Sequence, residues 1–114
     1  MEGGTLAREI DDIAKRKKYK QNQYGDRKSR KDDYTGERVF SGNTEKAIKK
    51  HPIDRISDTD HVTPIKVVQS RYKGLSDDQQ RIIANSEHNY AITNSKLNRS
   101  KGGLENHEYL MRQT

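Results

Sequence analysis

The sequence predicts one small α+β domain, in which two strands and the helix after the second make a frame and further helices flank it at both ends. Three observations predict it. The chain has 114 residues, enough for one domain and too few for two. Eleven of its 19 Leu, Ile, Val and Phe residues fall between Ile53 and Leu97, which puts the core in the second half. Within that half, extended and helical patterns alternate. An aliphatic content of about 17% and a net charge of +6 lean toward disorder. The clustering argues for a core, and leaves the N-terminal third loosely packed or dependent on a partner.

In order, Leu6, Ile10, Ile13 and Ala14 recur at helical spacing, and Thr5 can cap a helix running to about Tyr19. Gln21 to Gly25 reads as a linker. Asp33-Tyr34-Thr35-Gly36-Glu37 is turn chemistry, with Gly36 suited to positive φ. Arg38-Val39-Phe40 then forms a short strand, making 32–41 a hairpin or a strand after a turn, broken by Ser41-Gly42-Asn43. Thr44 to Lys50 forms a brief helix ended by Pro52. Residues 54–61 are extended and end at Asp60-His61. Pro64 forbids a long central strand, so Ile65 to Val68 continues as an irregular segment. Ser76 with Gln79 is a capping-box pattern that opens a helix over 77–85, with Ile82 and Ile83 facing inward. Asn89 to Thr93 is the second strand. Asn94 or Ser95 caps the next helix, which ends near Gly102-Gly103. Leu104 to Gln113 is a last short helix. Residues 1–31 form a basic N-terminal helix or arm, and 32–114 the domain proper.

There is no cysteine, hence no disulfide framework and no thiolate zinc site. No apolar run reaches signal-peptide or membrane-span length, so the expectation is a cytoplasmic protein with no membrane partner. Lys15, Arg16, Lys17, Lys18, Lys20, Arg27, Lys28, Arg30 and Lys31 face a single acid, Asp26, in 17 residues. Such a surplus favours a polyanion through counterion release, and a solvated arm of this kind binds nucleic acid without sequence choice.

Asp60 is a ligand for a hard cation such as Mg²⁺, and Asn98 offers a neutral oxygen of the same kind. One carboxylate and one amide leave room for water and phosphate oxygens around a single catalytic ion. His61 titrates near about 6.5 when unperturbed, so at neutral pH it is available as a base for a water that attacks phosphorus. Adjacent strand residues point to opposite faces, so Asp60 and His61 can serve one site only if the strand ends there. The Asn89 amide can bond the connecting backbone and hold His61 in place. Arg99 and Lys101 can reach backbone phosphates. Taken singly these pieces are ordinary: an Asp-His pair usually decorates a surface, and Arg-Ser-Lys is usually a solvated helix face. Their order and spacing carry the reading.

Asp60-His61-Val62-Thr63-Pro64 resembles the Asp-His-x-x-Pro signature of HNH endonucleases, and Asn89 followed nine residues later by Asn98-Arg99-Ser100-Lys101 resembles the signature's second half. The arrangement is similar to the HNH domain of RNA-guided CRISPR nucleases, and Tyr34-Thr35-Gly36 resembles a turn found upstream in small HNH proteins. The resemblance spans about residues 33–103. It implies a ββα-metal (His-Me finger) core with an inserted helix and flanking N- and C-terminal helices. It also implies Asp60 and Asn98 as metal ligands, His61 as general base and Asn89 as its orienting residue. The expected activity is hydrolysis of DNA to 5′-phosphate and 3′-hydroxyl ends with Mg²⁺, or Mn²⁺, RNA being the less expected substrate. Lys96 stands where some relatives carry an acid or His, and the cysteines of a structural zinc are missing. Two other outcomes fit the same residues: a non-catalytic nucleic-acid-binding or inhibitory module on this scaffold, and the toxin domain of an interbacterial effector with an immunity protein as partner.

Overall fold

The computed structural model describes residues 4–42 and 45–113. It is an α+β fold with two small antiparallel sheets. Asn43 and Thr44, expected to break a strand and open a helix, lie outside the described residues.

The expected N-terminal helix is two helices. α1 (Ala7–Ile10) opens with Glu9 reaching back to accept from the Leu6 N–H, not with a Thr5 cap. It stops because Asp11 is extended and Asp12 starts a new helix, accepting from the Lys15 N–H. α2 (Ile13–Tyr24) absorbs most of the segment read as a linker and ends at Gly25, whose φ of 55° suits glycine. The break at 11–12 destroys the expected apolar face. Ile10 is fully buried, whereas Leu6 and Ile13 are exposed.

β1 (Ser29–Lys31) pairs with β2 (Arg38–Phe40) around the Asp33–Thr35 turn, with Gly36 at a φ of 75°. The boundary drawn at residue 31 therefore falls inside a hairpin. α3 (Glu45–Lys50) follows, and Phe40 bridges to Ile56. β3 (Ser57–His61) pairs with β4 (Tyr90–Asn94), setting Asp60 opposite Ala91 and His61 opposite Tyr90. Between them run α4 (Ile65–Arg71), α5 (Asp77–Ala84) and a 3₁₀ turn, Glu87–Asn89. α6 (Ser95–Lys101) leaves β4 directly, capped by Asn94 accepting from the Leu97 N–H and ended at Gly102. α7 (Asn106–Gln113) closes the described chain.

α4 replaces the irregular segment expected at Ile65–Val68. Pro64 precedes it with a φ of −58°, a conformation its ring imposes anyway, so the proline starts a helix here where it was read as only limiting a strand. The β-branched run is helical because Val68 packs into the core with Ile10 and Ala84, and Ile65 and Ile83 cover that cluster. Ser76 and Gln79 do form the capping box of α5. Ile82, expected inward, is 71% exposed, and of the two isoleucines only Ile83 packs against the core.

The β3–β4 ribbon lies between two helices. Ser57 and Thr59 face α2: the Ser57 hydroxyl meets Tyr24, and the Thr59 hydroxyl donates to the Arg16 carbonyl. Tyr90, opposite His61, packs its ring 5.2 Å from Tyr19. Asp58 and Asp60 face α6. The N-terminal third is thus packed onto the ribbon, contrary to the expectation of a loose arm, because Ile10 and Tyr24 are buried within the same body. No helix of the described residues is long and apolar enough to cross a membrane.

Candidate functional site

β3 ends at His61, and the faces of successive residues meet there. Asp60 points to α6 and His61 to the α1–α2 junction, yet both line one cleft of about 370 Å³ with Asn98, Asp11, Arg16 and Lys66. The match between β3 and α6 is one of spacing. Asp58 and Asp60 are two apart on a strand, Asn98 and Lys101 three apart on a helix, and both pairs share a face. The Asn98 amide nitrogen donates to Asp58 Oδ2 at 3.3 Å, and Lys101 Nζ donates to Asp60 Oδ2 at 2.6 Å.

Lys101 is therefore not the surface cation expected for phosphate. It is 2% exposed and also donates to the carbonyls of His61 and Val62, at 3.1 and 3.3 Å. Asp60, 6% exposed, accepts a second bond from the Tyr34 hydroxyl at 2.6 Å. Burial and the Asp60 carboxylate push the Tyr34 phenol well above its ordinary value, so it stays a donor. Tyr34 reaches Asp60 because its turn is stitched to the outer edge of β4. The Asp33 N–H donates to the Ile92 carbonyl, the Asp33 carboxylate accepts from the Ile92 N–H, and buried Asp32 accepts from Thr93, Asn94, Tyr34 and Thr35.

His61 Nε2 lies 3.1 Å from Asn85 Oδ1. The Asn85 amide nitrogen donates to the carbonyls of Ile10 and Arg81, at 2.8 and 2.9 Å, which fixes the other atom as oxygen. That oxygen also accepts from the Asp12 N–H and the Tyr90 hydroxyl. Nε2 must then carry the proton, and Nδ1 is the lone-pair atom of the neutral ring. Burial pushes the His61 imidazole below its ordinary value, partly opposed by the Asn85 bond and the Asp11 charge. Tyr90 is pushed up to about 12, chiefly by burial, and remains a donor.

Asn89 lies on the far side of the loop after His61. Its amide accepts from the Thr63 N–H at 2.8 Å and donates to the carbonyls of Thr63 and Ala84. With the Val62 N–H donating to the Asn89 carbonyl, it ties that loop to the start of β4. Asp60 and Asn98 each present one oxygen with no protein partner among the described residues. This hard-oxygen pair suits a cation that keeps most of its water. Among the described residues no group of three or more His, Asp or Glu forms a metal cluster.

The nine cations of the expected arm divide. Arg16 lines the cleft, held by Asp11 through two bonds of 2.6 and 2.8 Å, and this pairing keeps its guanidinium above its ordinary value. Lys20 is turned inward to the Ser57 carbonyl, and burial lowers it. Arg30 pairs with Asp33. Lys15, Lys17, Lys18, Arg27, Lys28 and Lys31 are exposed, as are Arg99 and Lys96. His51 stacks on Phe40, and His88 and His107 are outside the cleft. Asn85, Asp11 and Lys66 were not selected from the sequence. In the sequence Asn85 is only the last residue of the helix expected over 77–85, and nothing local marks its five partners.

Compared with known proteins, the chain matches no family model, no curated protein and no solved structure.

Proposed function

We propose that this chain is a metal-dependent HNH-type endonuclease that hydrolyses DNA phosphodiester bonds to 5′-phosphate and 3′-hydroxyl ends. Its ββα-metal core would be β3, β4 and α6, with α4 and α5 inserted between the strands. One observation carries the proposal: Asp60, His61 and Asn98, drawn from two separated segments, line a single cleft. In it, neutral His61 takes the proton of the attacking water on Nδ1, because Asn85 occupies Nε2. Asn89 keeps the loop beyond His61 from moving. Arg16 and Lys66 supply positive charge for the phosphate at the cleft wall. A divalent ion held by Asp60 and Asn98 would stabilise charge on the phosphoryl oxygens and the leaving 3′ oxygen.

Purified protein with Mg²⁺ or Mn²⁺ is expected to nick supercoiled plasmid, and His61→Ala to abolish nicking with an unchanged circular dichroism spectrum. Equal cleavage by His61→Ala removes His61 as the base.

A second reading, a nucleic-acid-binding module without catalysis, is favoured by the ion pair of Lys101 with Asp60, which already neutralises the carboxylate. Calorimetric titration with Mn²⁺ separates the two. The nuclease requires a site that Asp60→Ala removes, and the binding module has none.

A further inference from the structure

We propose that the hollow on the β1–β2 hairpin is a preformed phosphate site that grips the nucleic-acid backbone away from the cleft. It supplies an anchor for the substrate class proposed above and rests on that reading. Arg27, Ser29, Arg30, Lys31 and Arg38 line this hollow of about 460 Å³. Four of the five are cationic, and no acid among the described residues lines it. Arg38 lies outside the basic run of the sequence; the hairpin brings it in.

Two features make this more than a solvated basic patch. First, the guanidinium groups are held mostly by neutral oxygens. Arg27 donates to the carbonyls of Gln23 and Tyr24, and Arg38 donates to the Ser29 hydroxyl at 2.8 Å. Among the described residues, only Arg30 of these three is paired with a carboxylate, that of Asp33. An arginine anchored by neutral acceptors keeps its charge, retains spare donors from its five N–H groups, and has lost much of its rotational freedom before an anion arrives. Second, Lys31 and Arg38 are direct cross-strand partners. Like charges directly opposite each other destabilise a hairpin. An anion between them removes that repulsion.

The ligand class follows from the donors. They suit phosphate oxygens, and no aromatic ring lines the hollow to stack a base, so the grip is independent of sequence. The hairpin joins β3 at its Ser57 end, through the Phe40–Ile56 bridge and the bond from Ser57 Oγ to the Phe40 carbonyl. The turn of the hairpin reaches Asp60 through Tyr34, and none of the residues lining the hollow lines the cleft. A backbone crossing both would be held at phosphates other than the one attacked.

The test is fluorescence anisotropy of the full chain with a labelled 24-base-pair duplex in EDTA, across a salt series. Lys31→Gln/Arg38→Gln is compared with Lys17→Gln/Lys18→Gln, which removes two exposed cations from α2. Loss of two phosphate contacts should weaken binding about tenfold at moderate salt and reduce the slope of log K against log salt by about 2. The α2 pair should change both by less. Unchanged affinity and slope in the hairpin variant overturn the proposal. Titration with inorganic phosphate, followed by amide shifts at Ser29–Lys31 and Arg38, distinguishes the source of the anion: shifts there without duplex binding mean a free-phosphate site and overturn the backbone assignment. Failure of the nuclease reading looks different. Duplex binding would then depend on Lys31 and Arg38 while no divalent ion supports nicking.

Discussion

Replacing Lys101 by Met tests the least expected feature of the cleft, a buried ammonium on the carboxylate offered as a metal ligand. The pair is 2.6 Å apart with side chains 2% and 7% exposed. At that distance and an effective dielectric of about 20, the attraction is about 6 kcal/mol, and desolvating the two ions offsets most of it. The net worth of the pair is therefore small, but breaking it is costly. Met fills the space of the lysine stem and leaves Asp60 with the Tyr34 hydroxyl alone. Removing one partner of a buried pair costs about 3–5 kcal/mol, a large part of a small domain's stability. With a urea slope of about 1.5 kcal/mol/M, the unfolding midpoint should fall by about 2–3 M.

The decisive arm is the double variant. Lys101→Met/Asp60→Asn removes the stranded charge, and the amide oxygen can still accept from Tyr34. Its midpoint should recover most of the loss, giving a coupling of at least about 2 kcal/mol in the cycle. Urea denaturation of wild type, both single variants and the double variant measures it. A cost below about 1 kcal/mol for Lys101→Met, or single costs that simply add, would falsify the buried pair and return Lys101 to the surface role read from its sequence position.

Plasmid nicking should rise with pH and level off, with its inflection below 6.5, because burial lowers the His61 imidazole; an inflection at or above 6.5 refutes a buried base. The same shift acts on stability. Unfolded His61 takes up its proton first, so its contribution is present above pH 6.5 and is lost as pH falls through the lower folded value. Asn85→Ala should cost about 2–4 kcal/mol in urea denaturation, because it strands the Ile10 carbonyl, the Asp12 N–H and the Tyr90 hydroxyl together; a loss near zero means that these groups are solvated. Burial works to raise the Asp32 carboxyl, but bonds from Asn94, Tyr34 and Thr93 outweigh it and hold it below 3.8. Its stabilisation is therefore present above pH 3.8 and is lost as pH falls through the folded value. Acid titration monitored by circular dichroism should show a shallower acid limb for Asp32→Asn than for wild type.

What was legible in the sequence is local. The Ser76–Gln79 capping box, the Asn94 cap and the turn before Gly36 each depend on residues within four positions. What was not legible depends on distant partners. Val67 and Val68 after a proline favour an extended chain, and only burial against Ile10 and Ala84 makes that stretch helical. Lys101 follows Arg99 and Ser100 in what reads as a solvated face, and only Asp60, 41 positions away, draws it inward. Lys20 belongs to a basic run, yet the Ser57 carbonyl claims it. The break at Asp11–Asp12 is partly local, since Asp12 is a good cap, but its position is set by Asn85 bonding the Ile10 carbonyl and the Asp12 N–H.

The charges of the cleft suggest how binding and chemistry divide. Its walls carry Asp11, Asp60, Arg16 and Lys66, and behind them lie Lys101, which pairs with Asp60, and Asp58, which accepts from Asn98. With His61 neutral, these six groups sum to zero. Before a divalent ion binds, a phosphate entering the cleft meets donors in fixed positions but no net attraction, so affinity without the ion has to come from elsewhere. The exposed cations of α2 and the hairpin do not line the cleft, and Lys17, Lys18, Lys31 and Arg38 have no acidic partner among the described residues. Salt should then weaken binding through those cations and leave the rate of the bound complex nearly unchanged, since close, buried pairs are screened far less than exposed charges. In the proposed nuclease, a cleft balanced in this way makes a buried lysine compatible with an anionic substrate: Lys101 cancels Asp60 and orients it, and the attraction would be supplied by residues that take no part in the proposed reaction.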